Sequence, residues 1–314
     1  MFRNSCLFAV SAAALLSACV NTPTETLVEE EPATVEAVVI EEVEIVISSA
    51  PDSAEALKSV LAAQPEAVQA RYAYRHPAET LAFFQIEPGM TVVEALPGGG
   101  WYSKILIPYL GPEGELVGWH YPDAIWSAIM PNADEERIAN FIAMGDNWAA
   151  GTVEWGIEDG AAVSQYKMTA VPEEAYGTAD AVLFIRALHN LYRTEEDHAF
   201  LSSTIKEAYA LLKPGGVLGV VQHRAPETNS SDWADGNAGY LREEDLIAAF
   251  GAEGFILDAS SEINANPKDE PTEEDVVWRL PPTRGGTEEG TPERAAVDAI
   301  GESDRMTLRF LKPA

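Results

Sequence analysis

A run of three glycines, Gly98–Gly100, follows a short apolar segment and carries the clearest chemical signal in the sequence. Glycines let the main chain approach a ligand closely and adopt positive φ angles. Glu94 precedes the run, and a predicted helix begins after it at Trp101, where free N–H groups can bind an anion. The stretch therefore predicts a turn that holds a ligand. Its glycines are contiguous and lack the GxGxxG spacing, which disfavours a nicotinamide site.

Two candidate catalytic residues, His189 and Asn190, follow the mostly apolar run Ala179–Ile185. Histidine titrates near neutral pH, so His189 could deprotonate a nucleophile, and the Asn190 amide could orient a substrate. The alternative is that His189 caps a strand end or bonds to a backbone carbonyl.

Other polar residues also stand where strands are predicted to end. His223 and Arg224 follow an apolar strand, and Arg224 could hold an acidic substrate group or pair with a local carboxylate. The polar and aromatic segment 71–76 precedes the first strand, where it could cover a ligand as a lid or pack as a helix end.

Strands and helices alternate from residue 54 onward, beginning with a predicted helix over 54–70 and a helix over 77–84. The predicted strands are Thr91–Ala95, Glu115–Trp119, one within 152–169, Ala179–Ile185, Val217–Gln222, Phe255–Ala259 and Met306–Leu311. This pattern predicts an α/β fold with a doubly wound, mostly parallel sheet. We expect ligands beyond the carboxyl ends of its strands. The segment 264–303, rich in proline, glycine and acidic residues, predicts a long loop or lid.

The charge of the chain limits its partners. The 314 residues include 51 acidic and 20 basic ones, a net charge of −31, which would repel nucleic acid. The five histidines show no metal-binding spacing, so no metal is predicted. No apolar run has the roughly 18 residues of a spanning helix.

The N-terminus has the pattern of an export signal. Arg3 precedes a brief apolar core, and Leu16–Cys19 resembles the lipobox of bacterial lipoproteins. That resemblance implies cleavage after residue 18 and a lipid anchor on Cys19, with the protein facing the periplasm or the cell exterior. A plain signal peptide is the alternative. The acidic stretch 19–53 predicts a flexible tether, followed by a domain over 54–314.

The segment Val93–Tyr102 resembles the first motif of class I S-adenosylmethionine-dependent methyltransferases, and Leu211–Gly216 resembles the turn before their fifth strand. The resemblance implies a Rossmann-like methyltransferase sheet with an antiparallel C-terminal strand and S-adenosylmethionine as cofactor. The implied cofactor-binding residues are Glu94, Pro97, Gly98, Gly99, Gly100, Tyr102 and His120. Two positions depart from the family: Leu96 replaces its first glycine, and His120 replaces the acidic residue that holds the ribose.

More narrowly, several stretches are similar to bacterial predicted methyltransferases of unknown substrate, over about residues 70–314. They are Arg75–Glu79, Pro88–Met90, Pro97–Tyr102, His189–Asn190, Ser303–Arg305 and Lys312–Pro313. The implied function is methylation of an unidentified small molecule. A non-catalytic ligand-binding lipoprotein that retains the fold is the alternative, because an exported domain would meet little of this cytosolic cofactor. A nicotinamide-dependent oxidoreductase is the third hypothesis.

Overall fold

A seven-stranded sheet organises residues 51–314, the part of the chain that the computed structural model describes. The strands are β1 Thr91–Ala95, β2 Glu115–His120, β3 Ala162–Lys167, β4 Ala179–Ile185, β5 Leu212–His223, β6 Ile256–Ser261 and β7 Arg305–Leu311. Their order is β3-β2-β1-β4-β5-β7-β6. Only β7 runs antiparallel to its neighbours. The α/β fold class predicted from the sequence, a doubly wound, mostly parallel Rossmann-like sheet with an antiparallel C-terminal strand, is confirmed.

Helices connect the strands and precede the first of them. They are α1 Pro51–Ala62, α2 Glu66–Gln69, α3 Tyr72–Arg75, α4 Pro77–Phe83, α5 Ser103–Leu110, α6 Asp123–Ile129, α7 Glu135–Asp146, α8 Trp148–Gly151, α9 Leu188–Tyr192, α10 Glu195–His198, α11 Phe200–Leu211, α12 Glu243–Ala252 and α13 Pro292–Ile300. Within residues 51–314, no helix combines the length and the apolar character needed to cross a membrane.

The strand order places a crevice at the centre of the sheet. β1 pairs with β2 on one side and with β4 on the other. The order in which strands are added to the sheet therefore reverses between β1 and β4. In open α/β sheets this switch point is where ligands bind, beyond the carboxyl ends of the strands. The residues that follow β1 and β4 are therefore the first place to look for a site.

The interior of the sheet holds these strand ends in place. Phe184 of β4 is fully buried and packs against two other aromatic rings, with centroid distances of 5.8 Å to Trp119 and 6.1 Å to Phe250. Close packing against large side chains leaves such a strand little freedom to move. The residues just beyond Ile185 consequently emerge from a rigid base.

Two sequence predictions fail in part. The helix predicted over 54–70 begins at Pro51, inside the predicted tether, and ends at Ala62, because Pro65 disfavours helical geometry in the residue before it. The predicted loop 264–303 contains α13, whose start is capped by the Thr291 side chain with proline next to it. The predicted signal peptide, the Cys19 anchor and most of the tether lie outside the described residues.

A smaller shift concerns the turn before β5. The segment 213–216 was predicted to separate a helix from a strand, whereas β5 already begins at Leu212. The pairing of β4 with β5 slips between Ala179 and Ala181, and Gly215 adopts a φ of 77°. The predicted turn is therefore an irregularity within the strand.

Gly219 in β5 makes room for the aromatic residue that follows α4. A Cβ atom there would lie 2.7 Å from the Phe84 ring and 2.8 Å from Leu183. We expect Gly219→Ala to lower the free energy of unfolding by about 1–3 kcal/mol through overpacking. Urea unfolding followed by circular dichroism measures the change.

The matched control is Gly251→Ala, on an exposed part of α12 where a Cβ meets nothing within 4 Å. That variant should gain about 0.5–1 kcal/mol, since alanine favours a helix over glycine. Equal stabilities for the two variants would contradict the close packing at Gly219.

Candidate functional site

Two adjoining cavities lie over the switch point. The larger, of about 500 Å³, extends over the ends of β1, β4 and β5. The smaller, of about 210 Å³, lies over the ends of β2 and β3. Leu96 and Gly98 line both cavities, so the turn after β1 forms the boundary between them. The turn predicted from the glycine run is thus the centre of the candidate site.

The turn keeps the backbone geometry of a glycine-rich motif despite its leucine. Leu96 has a φ of 50°, Gly98 of 54° and Gly100 of 74°. The left-handed conformation of a leucine costs about 1–2 kcal/mol, which the fixed strand and helix on either side must offset. Gly100 has no room for a Cβ, which would lie 2.2 Å from the Trp155 ring.

Gly99, by contrast, faces open space. A Cβ at this position meets nothing within 4 Å, and its φ lies outside the left-handed region. Gly98 and Gly99 are exposed, and their N–H groups have no acceptor among residues 51–314. The main chain here is available to an anionic ligand group.

The smaller cavity is aromatic. Trp126 and Phe141 stack on one another with centroids 4.7 Å apart, and the His120 ring lies 5.5 Å from Trp148. His120 is buried, and its Nε2 has no partner among the described residues. Burial lowers the pKa of His120 to about 4, so the ring is neutral at pH 7. The cavity suits a flat, apolar group that makes a hydrogen bond with His120.

The larger cavity is built around one carboxylate. Glu302 is 3% exposed, and its Oε1 lies 2.5 Å from Nη2 of Arg71. The Nε of Arg75, itself 2% exposed, lies 3.2 Å from both Glu302 oxygens. The Arg75 guanidinium also packs over Trp101, 4.5 Å from the ring centroid. The segment 71–76, which the sequence left as either a lid or helix packing, supplies two cavity residues in this way.

Two further guanidiniums share Glu302. Nη1 of Arg305 lies 3.2 Å from Oε2, and Nη1 of Arg186 lies 3.9 Å from the same oxygen. Burial alone would raise the pKa of Glu302, but the four arginines, led by Arg75, lower it below its ordinary value. We call Arg71, Arg75, Arg186, Arg305 and Glu302 the arginine cluster. It holds three positive charges in excess.

Another part of the cavity wall is apolar and comes from the segment after β6. Trp278, Leu280 and Pro281 line the larger cavity there. The Trp278 ring lies 5.8 Å from His189, centroid to centroid. An organic ligand in this cavity would therefore meet both guanidiniums and apolar carbon.

Two neutral histidines complete the larger cavity. His189 and His223 both line it, and their ring centroids are 5.7 Å apart. The Nδ1 atom of His223 lies 2.5 Å from Oγ of Ser303. Burial, followed by the charge of Arg193, lowers the pKa of His189 to about 4. Burial also holds the pKa of His223 well below its ordinary value. Both rings can exchange hydrogen bonds with a ligand without adding charge.

The structure brings only some of the sequence-predicted site residues to the cavity walls. Those that line a cavity are Pro97, Gly98, Gly99, His120, His189 and His223, together with Arg71 and Arg75 of the segment 71–76. Glu94 lies behind the turn, where its carboxylate accepts a hydrogen bond of 2.6 Å from Ser103 Oγ. Burial raises the pKa of Glu94 to about 7, so it is a weak anion at neutral pH.

The remaining predicted residues support the walls from behind. The buried Tyr102 hydroxyl donates to the Arg75 carbonyl at 3.2 Å. Asn190 Nδ2 lies 3.4 Å from the hydroxyl of Tyr121, a residue of the smaller cavity. Gly100 packs against the Trp155 ring, which leaves no room for a Cβ atom. Arg224 faces away from the larger cavity and forms ion pairs, among them one of 2.9 Å with Asp304.

The sequence analysis gave no role to several residues of the larger cavity, among them Arg186, Glu302 and Trp278. Arg186 is close to the candidate His189 in the sequence, but no sequence pattern indicated that it binds a ligand. Glu302 and Trp278 lay in the segment predicted to be a loop or lid. The only available signal was the Ser303–Arg305 stretch of the narrower resemblance, which adjoins Glu302 in the sequence.

Comparisons with known proteins give structural matches only. No protein-family model and no curated protein matches the chain. A methyltransferase from Aquifex aeolicus described as S-adenosylmethionine-dependent is 12% identical, with a TM-score of 0.46 over 82% of this chain and 98% of its own. The [4+2]-cyclase SpnF is 16% identical, with a TM-score of 0.48 over 78% and 83%.

A third match is geranyl diphosphate C-methyltransferase from Streptomyces coelicolor A3(2), solved with Mg²⁺, geranyl diphosphate and S-adenosylhomocysteine. It is 14% identical, with a TM-score of 0.47 over 81% of this chain and 87% of its own. At these identities and TM-scores the matches do not indicate what this chain does.

The arginine cluster predicts a large effect of removing its carboxylate. Glu302→Gln leaves buried guanidiniums without a counter-charge, and we expect it to lower the free energy of unfolding by roughly 3 kcal/mol or more. Because the folded-state pKa of Glu302 is depressed, its stabilisation is present above about pH 4.5 and lost as the pH falls through the folded-state pKa. Urea unfolding at pH 7 and pH 4 measures both effects.

Glu55→Gln is the matched control, since Glu55 is 70% exposed and its one ion pair within residues 51–314 is with Lys58 at 3.3 Å. Surface pairs of this kind contribute less than about 1 kcal/mol. A Glu302→Gln protein as stable as the Glu55→Gln protein at pH 7 would show that the cluster does not hold the cavity wall.

Proposed function

We propose that the protein is a class I S-adenosylmethionine-dependent methyltransferase that acts on a small molecule. The observation that carries this proposal is the pair of cavities that meet at Leu96 and Gly98, over the switch point of the sheet. An elongated ligand with a nucleoside end and a charged end would lie across that boundary. The resemblance of Val93–Tyr102 to the first motif of these enzymes supports the same proposal.

The smaller cavity fits the nucleoside end. Its aromatic rings can pack against adenine, and His120, whose neutral ring lines the cavity, can exchange a hydrogen bond with a ribose hydroxyl. A neutral imidazole holds one hydroxyl, whereas a carboxylate can hold two. We therefore propose weaker ribose binding than a carboxylate at position 120 would give.

The turn fits the amino-acid end. The N–H groups of Gly98 and Gly99 are free to bind a carboxylate, close to the start of α5. Glu94 is buried behind the turn and bonded to Ser103, so its contribution is to hold the turn in place. In this proposal Pro97 lines the cavity beside the cofactor, whereas Gly100 and Tyr102 support the turn from behind.

When bound, the cofactor supplies an electrophilic methyl carbon whose bond to sulfur breaks with its electrons remaining on sulfur. The acceptor forms the new bond to carbon and releases a proton if its nucleophile carries one. His189, neutral and in the wall of the larger cavity, is the residue we propose to take that proton. The surrounding residues align the reactants and exclude water, which accounts for much of the acceleration in such displacements.

We also propose that the protein is exported and anchored through a lipid on Cys19, as the lipobox resemblance implies. The support is the sequence alone, because residues 1–50 lie outside the described part of the chain. Mass spectrometry of the native N-terminus tests it. A mature chain that begins at a diacylated Cys19 supports the anchor, and an intact Met1 contradicts it.

The cofactor proposal predicts binding that depends on the open space at Gly99. We expect calorimetry to give a dissociation constant in the micromolar range for S-adenosylmethionine, and Gly99→Gln to weaken it by about tenfold or more. The new side chain would occupy the cavity without clashing with the protein, since nothing lies within 4 Å of its Cβ.

Gly251→Gln is the control, because it introduces the same side chain on the exposed surface of α12. No heat from the wild-type protein up to about 1 mM cofactor would contradict the proposal. Cofactor binding without turnover of any acceptor would favour the alternative of a non-catalytic ligand-binding lipoprotein.

The low pKa of His189 predicts a flat pH profile. A histidine with its ordinary pKa of 6.5 would lose base activity as the pH falls below 6.5, whereas a pKa of about 4 keeps His189 deprotonated throughout that range. Once an acceptor is known, we expect the rate to be constant from pH 6 to 8, within about twofold. A fall in rate centred near pH 6.5 would contradict the buried, neutral state of His189.

A further inference from the structure

Arg186 is the arginine of the cluster that lies farthest from the Glu302 carboxylate. It follows β4 directly, and its side chain is 25% exposed. Among residues 51–314 its guanidinium forms no hydrogen bond, and its Nε is buried without a partner. The nearest carboxylate oxygen, on Glu302, is 3.9 Å away.

Glu302 does not need this arginine. Its Oε1 accepts from Arg71 and Arg75, and its Oε2 accepts from Arg75 and Arg305. Both oxygens are therefore already bonded at 2.8 to 3.2 Å. Arg186 adds a positive charge to a group that is already neutralised.

Keeping Arg186 there costs stability in two ways. Its φ of 59° is in the left-handed region, which a side chain other than glycine adopts at a cost of about 1–3 kcal/mol. Burial, reinforced by Arg305 and Arg71 and opposed by Glu302, lowers its pKa to about 10. A guanidinium held in this way, at the edge of a cavity, is suited to an external anion.

The charge of the cofactor makes it a poor candidate for that anion. S-adenosylmethionine carries an ammonium, a sulfonium and one carboxylate, a net positive charge. The turn at Gly98 and Gly99 already provides donors for its carboxylate. The excess positive charge of the arginine cluster therefore favours the binding of a second, anionic molecule in the same cavity.

We propose that the methyl acceptor is a small organic acid whose carboxylate or phosphate group binds Arg186 and Arg71. Its apolar body lies against Trp278 and Leu280, in the apolar part of the cavity wall. That the bound anion accepts a methyl group rests on the proposed methyltransferase function. The anion-binding site itself is inferred from the geometry of the arginine cluster. Arg186 is then a binding residue that selects anionic acceptors for the larger cavity.

The test compares three probes of similar shape: benzoate, phenyl phosphate and benzamide. Titrations of the whole protein are carried out in a buffer free of phosphate and carboxylate. We expect at least one of the two anions to bind at least about tenfold more tightly than neutral benzamide. The stronger of the two identifies the acid group. Equal affinities for all three would overturn the proposal.

Arg186→Gln removes the guanidinium, and Arg137→Gln removes the same charge from the exposed face of α7. We expect only Arg186→Gln to lose binding of the favoured anion, by about tenfold or more, while the affinity for S-adenosylmethionine is not weakened. Unchanged anion binding in Arg186→Gln overturns the proposal.

Thermal unfolding separates a binding role from a structural one. Because the Arg186 guanidinium forms no hydrogen bond within residues 51–314 and adds unneutralised charge, Arg186→Gln should unfold at the same or a higher temperature than the wild type. A lower temperature would show that Arg186 is structural and overturn the inference. If the wild type binds the anions but not S-adenosylmethionine, the proposed function fails and so does the role of the anion as acceptor.

Discussion

The attraction between one buried carboxylate and the guanidiniums around it is the interaction on which the candidate site depends. Glu302 comes from the segment before β7, Arg75 from α3, and Arg186 from the end of β4. These segments are far apart in the sequence, and the shared carboxylate draws them together over the switch point. Buried charges need such partners, because an unpaired charge away from water is very costly. The larger cavity exists where these segments meet without filling the space between them.

The cluster also sets the chemistry of the cavity. Its positive excess shares the cavity with neutral His189 and with an apolar part of the wall that includes Trp278. In a chain with a net charge of −31, a buried positive site of this kind is a local exception. A cationic cofactor and an anionic acceptor would balance one another there, and neither alone would satisfy the whole site.

The fold was more predictable from the sequence than the site. β1 and β4 were predicted with the bounds observed, because short, mostly apolar runs between turn residues indicate buried strands. The turn at Gly98 was also predicted, although the left-handed conformation of Leu96 was not. The pairing of Arg186 with Glu302 could not be predicted, since a single sequence shows which residues are charged but not which distant segments the fold brings together. Thr291 followed by proline is typical of a helix start and indicates α13. The proline- and glycine-rich composition of the surrounding segment instead predicted a loop.

The most direct test of this account is a titration of S-adenosylmethionine in the absence and in the presence of saturating benzoate or phenyl phosphate. If the acid occupies the arginine cluster beside the cofactor, the opposite charges attract, and the affinity for the cofactor should rise by about fivefold or more. The reciprocal titration should give the same factor. Competition, in which the acid weakens cofactor binding, would show that both molecules use one anion site and would contradict the account.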